Sequence, residues 1–400
     1  MNLARLALTY LFARPLAAAL NLLLLSLGLA SITFVVLASA QVGRAFERDL
    51  GGIDLVVGAK GSPVQLILSA VFQIDTPTGN VPLAEVRSLA AHPLVAQVIP
   101  VSMGDSFAGF RIVGTTADYL ALYRLGVAAG EPSLGPMQAL VGAGVARTTG
   151  LAPGQRFIGT HGLAAGGHAH GDTPYQVTGV LSPCGCVADR LVLTSLESVW
   201  QVHETATATD AEDRKLLQAE REVTAALVRY RSPLAAASLP RWVNATTAMQ
   251  AAAPAIEVTR LLRLLGVGGD VLRALGAVLL LTGGLSVFIA LWNAVRERRA
   301  DLALLRMLGA SPARVAGLIV CEALWLALFA CVIGLVAGHG LAALLGSLLA
   351  GHQSLPLSGA VWVPQELWVV AAAAGVAIVA ALIPAASAWR VDAARLLPSR

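Results

Sequence analysis

Four apolar blocks decide what this chain can fold into. Residues 16–40, 271–295, 315–349 and 367–388 are almost free of charge, and each reaches the about 20 residues a helix needs to cross a hydrocarbon core. Lipid offers no hydrogen bonds to an exposed backbone, so each block must pair its own peptide groups as a helix. The blocks account for a composition that is 56% hydrophobic and only 13% charged, against about 45 to 50% and about 25% in soluble domains. An ordinary soluble fold is excluded.

Arginine sets the orientation. Arg5 and Arg14 precede the first block, Arg296, Arg298, Arg299, Arg306 and Arg314 separate the second from the third, and Arg390, Arg395 and Arg400 close the chain. The 350–365 connection carries no Lys or Arg. The positive-inside rule therefore turns 350–365 and the long 41–270 segment outward, with Trp362, Trp368 and Trp389 at interfacial depth. The net charge of +4 suits anionic lipid headgroups on the cytoplasmic side. No basic patch interleaved with aromatics is present, so membrane lipid is an expected partner and nucleic acid is not. Ala38-Ser39-Ala40 resembles a signal-peptidase site, yet about 25 apolar residues exceed the about 7 to 15 of a signal peptide, so the first block is read as an uncleaved span.

The expected layout runs as follows: residues 1–40, cytoplasmic start and first span; 41–270, an outward α+β domain with helical stalks at both ends; 271–295, second span; 296–314, cytoplasmic loop; 315–349, third span; 350–365, short outer loop; 366–389, fourth span; 390–400, cytoplasmic tail. The fold class is an α-helical membrane protein with four transmembrane helices and an inserted α+β extracytoplasmic domain. Within that domain, 53–57, 95–100, 110–114, 175–181 and 191–194 read as short strands rich in β-branched residues. Residues 81–91, with Pro82 in the first turn, and 211–222 read as helices.

The loop sequence ERRADLALLRMLGASPARV is the most specific stretch. Leu302, Leu304, Leu305 and Leu308 fall within half a helix circumference, with Arg299 and Arg306 just outside it. Gly309 can end that helix, and Ser311 with Pro312 can cap and start the next. Such a helix either rests on lipid headgroups or receives force from a partner.

The ERR-x-D-x-ALLR-x-LGAS core from Glu297 to Ser311 and the EALWLAL run from Glu322 to Leu328 resemble the carboxy-terminal domain of FtsX-like (MacB-type) ABC transporter permeases. DLVVGAKGSPVQLIL, Asp54 to Leu68, is similar to the start of the periplasmic domain in a subset of them. The resemblance implies a multi-pass protein of the bacterial inner membrane with a large periplasmic domain. It implies a homodimer or paired permease, and a cytoplasmic ABC ATPase docked on the loop at Arg298, Arg299, Leu302, Leu305, Arg306, Leu308 and Gly309. It also implies mechanotransmission, in which ATPase cycles move the periplasmic domain; a periplasmic adaptor or lipoprotein is a further candidate partner.

A Walker A loop needs Lys between Gly and Ser or Thr. Lys60 is flanked by Ala59 and Gly61, and Lys215 by Arg214 and Leu216, so ATP hydrolysis is expected on a separate subunit, with no cofactor in this chain. No Ser/His/Asp or paired-carboxylate arrangement stands out, and the chain is not expected to be an enzyme. A division-type scaffold that relays ATPase cycles to an envelope hydrolase, and a metal-sensing membrane receptor, are the alternatives.

Ionisable groups in spans mark candidate sites because lipid burial is costly. Glu322 is expected to pair with Arg298 or Arg314, and His339 to be satisfied near the outer interface. Gly334 and Gly338 could seat a neighbouring helix. Outside the membrane, His161, His168, His170, Cys184, Cys186 and His203 combine donors suited to zinc or copper. A disulfide, an interchain bridge or a labile redox pair competes for the two cysteines. Cys321 and Cys331 read as buried small hydrophobes. Gly58, Gly61 and Pro63 read as turn residues around Lys60.

Overall fold

The computed structural model describes residues 3–13, 15–162, 173–207, 211–349 and 357–390. The chain divides into two compact units, Met1–Gly43 with Leu265–Arg400, and Arg44–Leu264.

The first unit is helical. Among the described residues, four helices are long and apolar enough to cross a membrane: Pro15–Leu50, Pro254–Glu297, Pro312–Leu349 and Glu366–Trp389. The first two have 36 and 44 residues, about 54 and 66 Å at 1.5 Å per residue, well beyond the about 30 Å of a hydrocarbon core. They continue as helix past their apolar blocks. A short amino-terminal helix, Leu3–Phe12, buries Ala7 and Leu11 in the same apolar cluster as the spans.

Small residues set the helix spacing. A Cβ added at Gly334 would lie 2.6 Å from Leu29 Cβ, and one at Gly338 would lie 2.8 Å from Thr33 Cβ. The expected small-residue pair therefore does seat a helix, and that helix is Pro15–Leu50. On another side the same helix meets Pro254–Glu297, where a Cβ on Gly28 would fall 2.9 Å from Leu280 N. Several polar groups inside the unit are hydrogen-bonded. His339 contacts Gly359 O at 2.7 Å through Nδ1 and Glu366 Oε2 at 3.0 Å through Nε2, while Glu366 Oε1 accepts from Val363 N. Gln41 exchanges two hydrogen bonds with the Ser358 backbone.

Among the described residues, the second unit is built on an eleven-stranded mixed sheet. Its main path runs Met249–Ala252, Leu55–Ala59, Ala225–Tyr230, Val95–Phe107, Phe110–Thr115, Leu191–Ser195, Gln138–Val141, Tyr175–Leu181, Val127–Gly130. Arg156–Phe157 adds to Tyr175–Leu181 and Thr160–His161 to Val95–Phe107. Two of the pairings are parallel, Leu191–Ser195 on Phe110–Thr115 and Gln138–Val141 on Tyr175–Leu181. Phe110–Thr115 and Leu191–Ser195 are buried along their whole length, so Arg111, Thr115, Thr194 and Ser195 are buried along with their apolar neighbours. Tyr175–Leu181 alternates fully buried positions with less buried ones, the period-2 signature of a strand with one covered face.

The strands read from sequence are present, with shifted ends: 53–57 becomes Leu55–Ala59, and 95–100 extends to Phe107. The 81–91 reading needs correction. Val81–Pro82 pairs with Glu222–Val223 as a small ribbon, and the helix begins at Leu83. For the same reason the 211–222 helix stops at Ala219. Pro63 does not sit in a turn: it occupies the first turn of helix Pro63–Ala70, whose Gln65 N donates to Ser62 Oγ. Ala225–Tyr230, a central strand, was not anticipated.

Candidate functional site

The loop between the second and third long helices folds as helix Arg299–Met307. Gly309, at φ +93°, ends it: in the left-handed region its N–H reaches Arg306 O and Ala310 N reaches Leu305 O, the closing pattern that glycine allows at a helix C-terminus. Ser311 Oγ then accepts from Arg314 N at 3.3 Å, and Pro312 opens the next helix. Every terminus signal read from the sequence is used.

One face of this helix is locked to the unit beneath it. Leu302 is 1% exposed, and Leu305 packs against the same apolar cluster. Arg298, at the helix start, turns inward. Its guanidinium lies 4.4 Å from the Tyr10 ring centroid, donates to Tyr10 O at 3.1 Å and comes within 3.8 Å of Glu322 Oε2. The expected pairing of Glu322 with Arg298 is therefore present. Trp325 Nε1 donates to Ala4 O at 3.0 Å, so the amino-terminal helix is held to both the loop and the third long helix.

The opposite face is open. Leu304 and Met307 are exposed and Leu308 is 84% exposed, with Arg299 exposed and Arg306 half-buried beside them. The single leucine face expected from sequence thus divides. Leu302 and Leu305 anchor the helix, whereas Leu304, Met307 and Leu308 form an apolar ridge with arginine next to it. Met307 was missed because a window of leucines defined the face; the i, i+3, i+4 spacing of 304, 307 and 308 was the available signal.

In the other unit, His161 and His203 do come together, and with them Asp105 rather than a cysteine. Cys184 and Cys186 form a disulfide with each other; they line a cleft of about 480 Å³ with Arg48, Tyr123, Arg124 and Arg229. His168 and His170 lie outside the described residues.

With this geometry in hand, the matches to known families are consistent along the chain. Residues 18–243 match the family model described as MacB-like periplasmic core domain, more than half of the sequence, and residues 273–391 match the FtsX-like permease C-terminal model. The chain belongs to the MacB/FtsX-type ABC transporter permease family. Permeases of this family work with a cytoplasmic ABC ATPase. Membrane-spanning helices and a MacB-like periplasmic domain fit a bacterial inner-membrane protein. Among solved structures, the periplasmic region of MacB from Actinobacillus actinomycetemcomitans is similar over 54% of this chain and 94% of its own, at 11% identity and TM-score 0.36. The extracellular domain of the noncanonic ABC-type transporter YknZ from Gram-positive bacteria is similar over 49% of this chain and 98% of its own, at 14% identity and TM-score 0.31. No curated protein matches the sequence.

Proposed function

We propose that this permease is the membrane subunit of a mechanotransmission-type ABC complex. A cytoplasmic ATPase on another chain docks on helix Arg299–Met307, and its cycle reaches the periplasmic domain along helices Pro15–Leu50 and Pro254–Glu297. The observation that carries this reading is the two-sided loop helix. Its inner face is packed against the spans, so a push on it moves them, while its outer face leaves Leu304, Met307 and Leu308 exposed beside Arg299. A helix that rested on lipid would put its apolar face toward the membrane and its charges toward water. The arginine distribution puts this loop and both termini in the cytoplasm, and 41–270 and 350–365 in the periplasm. The same reading includes a homodimer or paired permease, with an adaptor or lipoprotein as periplasmic partner.

Leu308→Asp tests the docking face. A carboxylate pressed into an apolar groove costs several kcal/mol unless paired, and about 2.7 kcal/mol already weakens binding about 100-fold. The variant should reach the membrane at parental abundance, keep a protease-resistant periplasmic domain and lose the ATPase on co-purification. Undiminished ATPase recovery would remove the docking role.

A further inference from the structure

Two strands and one helix of the periplasmic domain bring a carboxylate and two imidazoles to one place. Thr160–His161 pairs antiparallel with Val95–Phe107 in the register Asp105 opposite His161, which puts both side chains on one face as direct cross-strand neighbours. His161 Nδ1 lies 3.2 Å from Asp105 Oδ1. The register is pinned on both sides, by Gly162 N donating to Gly104 O at 2.9 Å and by Thr160 Oγ1 donating to Ser106 O at 3.2 Å. His203 enters from helix Leu196–Thr207, its ring centroid 5.5 Å from that of His161 and nearly perpendicular to it. Gly104 makes room for it: a Cβ there would stand 3.3 Å from His203 Nε2. One donor atom from each of the three residues falls within 4.8 Å of the other two.

We infer that Asp105, His161 and His203 form a binding site for a divalent transition-metal ion of zinc-like chemistry. Two imidazole nitrogens and one carboxylate oxygen favour zinc and its neighbours, whereas calcium and magnesium take all-oxygen sets. Zinc holds such donors at about 2.0 to 2.2 Å in a tetrahedron, which sets them about 3.4 Å apart. Small side-chain rotations therefore close the site, with no change in strand register. The donors also differ in depth. The Asp105 side chain is 3% exposed and that of His161 58% exposed, so the carboxylate anchors the ion from inside while the outer imidazole leaves it an entry path. Three protein donors leave a fourth position for water or an incoming group. Beside the site the Tyr175 hydroxyl is buried with no hydrogen-bond partner among the described residues. Burial, and after it the charge of Asp105, keeps that hydroxyl above the ordinary phenol pKa. The site is independent of ATPase docking, so either can fail without the other.

The test uses the full chain in lipid nanodiscs, purified without a histidine tag, stripped with EDTA and titrated with zinc chloride against a chromophoric chelator. The parent should take up one equivalent per chain. His161→Gln, His203→Gln and Asp105→Asn should each weaken uptake at least tenfold, and cobalt(II) should give visible d–d bands in the parent that His203→Gln lacks. The double variant His168→Gln/His170→Gln should keep the ion. Circular dichroism and melting of the stripped proteins check the fold; if Asp105→Asn misfolds, the two histidine variants decide, since His161 is exposed. No stoichiometric uptake by the parent, parental affinity in both histidine variants, or loss of the ion only in the His168/His170 variant would each overturn the site.

Discussion

Arg298 and Glu322 are the most consequential single residues in the membrane unit. Both are largely buried, 3.8 Å apart, and Arg298 also holds the Tyr10 carbonyl and ring. Removing one member of a buried pair leaves an uncompensated charge, at a cost of about 3 to 5 kcal/mol, whereas replacing both by apolar groups of similar size is often neutral. Arg298→Ala should therefore lower the melting temperature sharply, and Arg298→Met/Glu322→Leu should recover most of the loss. A thiol-reactive dye reporting the buried Cys331 gives the melting curve in detergent. A double variant no more stable than Arg298→Ala would mean that the pair is not what Arg298 contributes. The sequence already pointed to this pair, because a carboxylate in an apolar block has few affordable partners and the nearest arginines lie at the same end. The metal cluster was only half legible. His161 and His203 could be picked by type, but Asp105 stands 56 residues before His161 and joins it through strand pairing. Cys184 and Cys186, chosen with the histidines for their chemistry, were close enough in sequence to satisfy each other.

At the scale of elements, glycine position decides which helices meet. Gly334 and Gly338 face Pro15–Leu50 with no room for a side chain, while a Cβ on Gly340, in the same helix, would meet nothing within 4 Å. Gly334→Val should cost about 1 to 3 kcal/mol or more through overpacking. Gly340→Ala should be neutral or slightly stabilising, because Ala is the better helix former by up to about 1 kcal/mol. Paired detergent melts check this, and an unchanged Gly334→Val would mean that these two helices do not pack through that face. The loop helix shows a sharper limit of periodicity. Its ends were readable from Gly309, Ser311 and Pro312, since caps are local chemistry. Which leucines point inward was not, because Leu302 and Leu304 are both apolar and only the neighbouring spans distinguish them.

For the molecule as a whole, topology is the property that the arginine count predicts and that labelling can test. In a background lacking Cys321 and Cys331, Glu212→Cys should react with an impermeant maleimide added to intact spheroplasts, and Met307→Cys only after permeabilisation. Both positions are exposed in the chain, and with the permease expressed without its ATPase, reactivity reports the side of the membrane rather than burial. Labelling of Met307→Cys from outside would invert the assignment and remove the loop from the reach of a cytoplasmic ATPase.

By itself the sequence determined how many apolar blocks are long enough to cross a membrane as helices, which side the arginines favour and that a mixed domain lies between the first two of them. Those properties follow from burial of apolar residues, backbone satisfaction in lipid and local capping, each of which acts over a few neighbouring residues. Only the tertiary structure decided the strand order, the insertion of Ala225–Tyr230 between Leu55–Ala59 and Val95–Phe107, the outward ridge at Leu304, Met307 and Leu308, and the meeting of Asp105 with two histidines. These depend on contacts between residues far apart in the chain, for which the side-chain pattern of any one segment is equally compatible with several partners.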